Sequence, residues 1–230
     1  MSEHILRSFD EDLGQLTAEV ARMGGLAEAQ IADALDCVLR RDVRLAEKVK
    51  GGDRILDELD ADIERKAIRV IALRQPMADD LRHAVAAMKI SSNLERIGDL
   101  AKNIAKRSLV LAGSEAATPL SRSIDRLGRL VAARLKEVLD AYTGSDVDRA
   151  VAVWTRDEEI DSHYDSLFRE LLTYMMGDPK MITPGAHLLF IAKNLERIGD
   201  HATNIAEIIH YELTGEPLGT DRPKVDSVTP

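Results

Sequence analysis

The chain has 230 residues with only 14 Gly and 7 Pro, too few turn formers for a sandwich or barrel of many short strands. Hydrophobic residues make up 45 % but aromatics only 3 %, so the core is filled by Ala, Leu, Ile, Val and Met, as in a helical bundle. The 31 Lys and Arg against 40 Asp and Glu leave a formal charge of −9. With so few rings there is neither a net pull toward phosphate backbones nor a stacking platform, so nucleic acid is excluded as an expected partner and cations or basic surfaces are favoured. A single cysteine, Cys37, offers no internal disulfide and points to the cytosol. No apolar h-region opens the chain and no uncharged stretch approaches the ~20 residues of a membrane span. Work at a membrane would therefore be peripheral, through partners already there.

In chain order, the first periodic stretch carries Val20, Met23, Ala27, Ile31, Ala34 and Val38, and the same stripe returns 104 positions later as Ile124, Leu127, Val131, Leu135, Val138 and Tyr142. Steps of three and four mark the core face of an amphipathic helix. Val49, Leu56, Leu59, Ile63, Ala67 and Val70 recur with the same shift as Val153, Ile160, His163, Leu167, Leu171 and Tyr174. The third stretch recurs at a shift of 101: Asn93–Ala105 matches Asn194–Ala206 except at 100/201 and 102/203. Two copies of a three-helix unit follow. The spacing predicts helices over 5–40, 43–74, 77–112, 119–143, 146–176 and 184–214. Thr118–Pro119 and Thr183–Pro184 read as an N-cap followed by proline at the first helical position, and Pro76 opens the third helix in the same way. Gly113, Gly144, Gly177 and Gly215 are expected to end helices in the left-handed conformation. The fold class is thus all-α, two tandem similar three-helix bundles built from six long helices: residues 1–115, residues 116–214, and a disordered tail over 215–230.

On the third helix of each copy, Glu95, Asp99 and Asn103, and likewise Glu196, Asp200 and Asn204, lie one turn apart beside the core stripe. Two carboxylates and an amide carbonyl are hard oxygen ligands suited to a divalent or trivalent cation. The same acids could instead pair with Arg96 and Arg197 on a solvated face. Repetition of the strip in both copies favours a task beyond packing. Gly98 and Gly199, in mid-helix at ~1 kcal/mol relative to Ala, mark a close approach, for which helix packing is the alternative reading. A site needs ligands from a second helix, for which Asp57 and Asp161 are the candidates, with Asp53 and Asp165 behind them. His163 sits at a helix edge, and His201 reaches the strip only in an overwound helix. Glu207 and His210 form a Glu-x-x-His, but copy one has Lys106 and Leu109 at those places, which argues against a di-iron oxidase. No nucleophile elbow, Walker loop or dinucleotide fingerprint is present, so no enzyme is expected. The alternatives are a metal-dependent carboxylate-bridged enzyme and a purely structural dimeric scaffold.

Leu94-Glu-Arg-Ile-Gly-Asp99 and Leu195–Glu207 resemble the PhoU family of phosphate-uptake regulators, as do Arg74-Gln75-Pro76 followed by Asp80-Leu81-Arg82, Met23-Gly24-Gly25, and Leu172–Met176. The resemblance runs in order from Ile5 to Leu213. It implies two similar three-helix bundles forming a cytoplasmic homodimer. It also implies a negative regulator of the phosphate-starvation (Pho) response that links the ATPase subunit of a phosphate ABC transporter to a membrane sensor histidine kinase. Metal sites in the family (iron, zinc or other divalent ions such as magnesium or manganese) would fall on Glu95 with Asp99 and Glu196 with Asp200, with Asn103 and Asn204 following the pattern.

Overall fold

The computed structural model describes residues 2–113 and 120–219, and the side chains of 11–52, 54–113 and 120–219. Within these, α1 spans Ser2–Arg40, α2 Val43–Arg74, α3 Asp79–Leu111, α4 Ser121–Gly144, α5 Val147–Thr155, α6 Glu158–Gly177 and α7 Ile182–Thr214. A 3₁₀ turn over Pro179–Met181 precedes α7. There is no strand among the described residues, and six of the helices are long, as the periodicity requires.

The two copies share a corner. After α1 the chain passes through Arg41 in the left-handed region (φ 55°), and after α4 through its counterpart Ser145 (φ 48°). Asp42 then caps α2 by accepting from Leu45 N–H at 3.0 Å, and Asp146 caps α5 by accepting from Arg149 N–H at 2.9 Å. Each carboxylate satisfies one of the orphan donors of a helix start and faces its positive end.

Helices α1, α2 and α3 pack on one another, as do α4, α5, α6 and α7, and the halves join through α3 against α7 and α1 against α4. Both joints are antiparallel. On α3 and α7, Asn93 meets His201 and Arg107 meets His187. On α1 and α4, a Cβ on Gly24 would lie 2.7 Å from Leu139 Cδ2, and one on its counterpart Gly128 would strike Leu35. Gly24 and Leu35 are thus answered by Gly128 and Leu139, a reciprocity that an approximate twofold axis between the copies requires. The buried apolar residues form a single cluster running through both halves.

Several expectations need correction. Residues 146–176 are not one helix: the chain breaks at Arg156 (φ −100°, ψ 16°), between α5 and α6. Asp157 there is buried and accepts from the Thr203 hydroxyl at 2.7 Å, a hydrogen bond that holds the break against α7. The matching stretch of copy one holds Gly51 and Gly52 and stays helical. Pro76 does not start α3, which begins three residues later after Ala78 (φ 49°). Thr183 lies inside α7, whose start has no side-chain cap. Of the expected terminating glycines only Gly215 is left-handed (φ 76°); Gln75 and Ser145 hold that conformation instead. Tyr174, placed in the core stripe, is exposed. Thr118–Pro119, the side chain of Asp53 and the tail from residue 220 onward lie outside the described residues.

Candidate functional site

The two carboxylate strips stand on equivalent faces of α3 and α7, but their surroundings differ. In copy one Glu95 is largely covered and Asp99 partly so. Arg96 straddles them, 3.3 Å from Glu95 and 3.6 Å from Asp99, and Lys102 reaches Asp99 at 3.4 Å. Burial pushes the Glu95 carboxyl above its ordinary value; Arg96 opposes this, and Asp99, Asp57 and Asp60 add to it. Asp57 and Asp60 thus bring the negative field of α2 to the strip. Asp60, which the sequence reading passed over, is fixed by the Ser91 hydroxyl at 2.5 Å.

In copy two Glu196 is buried more deeply. One oxygen pairs with Lys193 at 2.6 Å, while Oε2 is buried with no hydrogen-bond partner among the described residues. Burial raises this carboxyl as well; Lys193 opposes, and Asp200 and Asp161 contribute in the raising direction. Copy one has Ser92 in the place of Lys193. The Lys193 ammonium also lies 5.3 Å from the Tyr164 ring centre, and Asp165 is among the charges acting on Tyr164. Each strip therefore gathers acids from two helices, and each is partly neutralised by a cation of its own chain.

The third members drift away. Successive steps of four residues rotate by ~40° about a helix axis, so Asn103 turns out of the strip and lines a groove between α3 and α7 with Lys106, Arg107 and His187. Asn204 is half-buried at the matching place on α7. The glycines answer to packing: a Cβ on Gly98 would strike Leu56, and one on Gly199 would lie 2.7 Å from Ile160 Cδ1. Leu56 and Ile160 are themselves counterparts, so the mid-helix glycines exist to seat a residue of the preceding helix. His201 bonds to Asn93 at 2.8 Å on the α3–α7 seam, away from the strip. His210 is engaged with the Glu216 carbonyl at 2.9 Å, and Glu207 accepts from the Trp154 indole N–H at 3.0 Å, so the Glu-x-x-His residues are employed separately.

As to a metal, the donors are of the right chemistry: carboxylates held partly dry, mutually repelling, one with an orphaned buried oxygen. Among the described residues, however, no three His, Cys, Asp or Glu side chains are grouped so as to hold an ion.

Two polar clusters had no signal in the periodicity. Arg134 is buried on α4 and reaches Glu137 at 3.0 Å and Glu159 at 2.8 Å. At the far end of α3, His83 bonds through Nδ1 to Glu212 at 2.5 Å and through Nε2 to Thr17 at 2.9 Å. This cluster ties α1, α3 and α7, and Arg82 adds a hydrogen bond to the Glu212 carbonyl at 3.1 Å. Acid and base here are brought together from 129 positions apart, so only the tertiary fold reveals them.

Two reciprocal helical units with matched acidic faces define a tandem-repeat all-helical protein. The family model for the PhoU domain matches residues 20–108 and again 124–209, and the chain belongs to the PhoU family. It is 64 % identical over 226 residues to the phosphate-specific transport system accessory protein PhoU homolog of Caulobacter vibrioides (strain NA1000 / CB15N), covering 98 % of both chains. It is 37 % identical over 216 residues to the phosphate-specific transport system accessory protein PhoU of Escherichia coli (strain K12), covering 94 % of this chain and 89 % of that one. The fold is similar to the crystal structure of PhoU from Pseudomonas aeruginosa, with a TM-score of 0.87 and 35 % identity over 90 % of this chain and all of that one. It is likewise similar to the phosphate transport system regulatory protein PhoU from Streptococcus pneumoniae, with a TM-score of 0.85 and 30 % identity over 92 % and 99 % of the two chains. No helix among the described residues is long and apolar enough to cross a membrane.

Proposed function

We propose that this protein is an accessory regulator of phosphate uptake that keeps the phosphate-starvation response off when phosphate is plentiful. In this reading it is a non-enzymatic cytoplasmic homodimer that bridges the ATPase subunit of a phosphate ABC transporter and a membrane sensor histidine kinase. The observation that carries it is the match, across 98 % of the chain, to a relative named as a phosphate-specific transport accessory protein. Two acidic strips related by an approximate twofold axis suit a bridging role, since each half of the chain carries one. Deletion of the gene is expected to raise phosphatase secretion in phosphate-rich medium; secretion that stays repressed contradicts the role.

The strips are the proposed cation sites, Glu95 and Asp99 with Asp57 in copy one, Glu196 and Asp200 with Asp161 in copy two. A bound iron, zinc, magnesium or manganese ion would neutralise carboxylates that now oppose one another. The orphaned Oε2 of Glu196 and the raised affinity of both glutamates for protons support this, because a group that favours a proton for relief of charge also favours a cation. Elemental analysis of the purified protein should find metal that is lost when Asp99 and Asp200 are both changed to Asn.

A further inference from the structure

The approximate twofold axis relates two grooves at opposite ends of the α3–α7 seam, and they have diverged in charge. One, of about 410 Å³, is lined by Asn103, Lys106, Arg107, His187, Phe190 and Asn194 together with Val110. Its counterpart holds Glu207 in place of Lys106, Ile208 in place of Arg107, Ala86 in place of His187 and Lys89 in place of Phe190, with Arg82 at its edge. We propose that the first groove is a binding site for a phosphate group.

On a chain of formal charge −9, this groove has two adjacent cations and no carboxylate in its lining. The Arg107 guanidinium is fixed from two sides: it stacks 4.1 Å over the Phe190 ring, and its Nη1 donates to His187 Nδ1 at 3.3 Å. Neither contact neutralises it. A guanidinium held on an aromatic face is pre-organised, so little freedom is lost when its remaining N–H groups engage an oxyanion. With Nδ1 accepting, His187 carries its ring proton on Nε2 and is a further donor. Asn103 adds an amide donor, and Asn194 keeps one N–H beyond the one it gives to the Phe190 carbonyl at 2.8 Å. Lys106 supplies the compact charge and Arg107 the planar fork that phosphate oxygens accept from. The volume falls in the range of small-molecule sites, and Phe190 and Val110 give one apolar wall, so a phosphate monoester fits as well as the free ion. The counterpart groove cannot do the same. Glu207, anchored by Trp154, places a carboxylate where Lys106 stands in the first, and the Arg82 of that groove is already committed to Asp79 at 2.6 Å and to the Glu212 carbonyl at 3.1 Å. The site is independent of the regulatory role: phosphate binding and phosphatase secretion are read separately, and either can fail with the other intact.

The test is calorimetric titration of the full-length protein with inorganic phosphate, a phosphate monoester and, as a third arm, vesicles containing phosphatidylglycerol. Saturable binding of one phosphate or monoester per chain is expected, weakening as salt is raised. Changing Lys106→Glu together with Arg107→Ile, which gives the groove its counterpart's residues, should weaken binding at least about tenfold, as loss of charge-assisted hydrogen bonds implies. Arg107→Lys keeps the charge and should still lose affinity, while Lys89→Ala in the opposite groove should leave it unchanged. Absence of saturable binding, equal binding by the double variant with its helical circular dichroism intact, or binding confined to the vesicles would each overturn the proposal.

Discussion

The first copy, α1 to α3, and the second, α4 to α7, keep the same skeleton and differ in what they do with charge. Shared are the left-handed corner at Arg41 and Ser145, the aspartate caps at 42 and 146, the glycines 98 and 199 that seat Leu56 and Ile160, and the reciprocal pairs Gly24 with Leu139 and Gly128 with Leu35. Different are the helix break at Arg156, the lysine on Glu196, the buried Arg134 and the basic groove at Arg107. Geometry that a twofold joint must satisfy twice is held fixed. Surface that each half presents to its own neighbours is free to specialise.

The strongest way to break this comparison is at the joint. Gly24→Val and Gly128→Val each force a branched side chain into Leu139 or Leu35, and overpacking of this kind costs about 1–3 kcal/mol. Thermal or urea unfolding should show losses of similar size for the two, with Gly128 the worse because its Cβ position is the more crowded. Loss at one site alone would show that the halves do not share one joint.

Thr203 and Lys102 occupy the same place in the two copies and should respond differently. Thr203→Val removes a hydroxyl that donates to the buried Asp157 and is expected to cost about 1–3 kcal/mol. Lys102→Ala loses a long, partly exposed ion pair with Asp99 and should stay within about 0.5 kcal/mol. Asp42→Ala and Asp146→Ala test the shared corner: each removes an N-cap and should cost about 1 kcal/mol, and unequal values in urea unfolding would mean that the corners are alike in shape only.

The smallest effect is a pH dependence at His83, a residue of copy one for which copy two has Pro184. The hydrogen bond to Glu212 raises the His83 pKa above 6.5, against burial. A raised imidazole contributes stability in full below its unfolded value of about 6.5 and loses it as pH rises through the folded value. The gap in melting temperature between wild type and His83→Gln should therefore be widest below about pH 6.5 and shrink as pH rises through the folded value; a gap that grows with pH contradicts the pairing.

The core was legible because burial repeats with the helix period: Val20, Met23, Ala27 and Ile31 are all fully covered, as are their counterparts Ile124 and Val131. The acids of the strips were legible because they repeat as well, and Asp57 and Asp161 lie close enough to act on the charge of Glu95 and Glu196. What escaped depends on tertiary contact or on small backbone choices. The break at Arg156 carries no proline or glycine, and the bond from Thr203 of α7 to the buried Asp157 is a tertiary contact. Asn103 shares spacing with Glu95, yet the drift of the helix turns it toward the groove. The left-handed corners fell on Arg41 and Ser145 and not on glycine, a cost of about 1–2 kcal/mol that the shared cap and packing offset.

The most direct test of the account is complementation of a deletion strain with the Asp99→Asn and Asp200→Asn double variant, with phosphatase secretion measured in phosphate-rich medium. Wild type should restore repression, and the folded double variant should leave secretion high. A double variant that represses as well as wild type would contradict the claim that the paired carboxylate strips are the working surface of this protein.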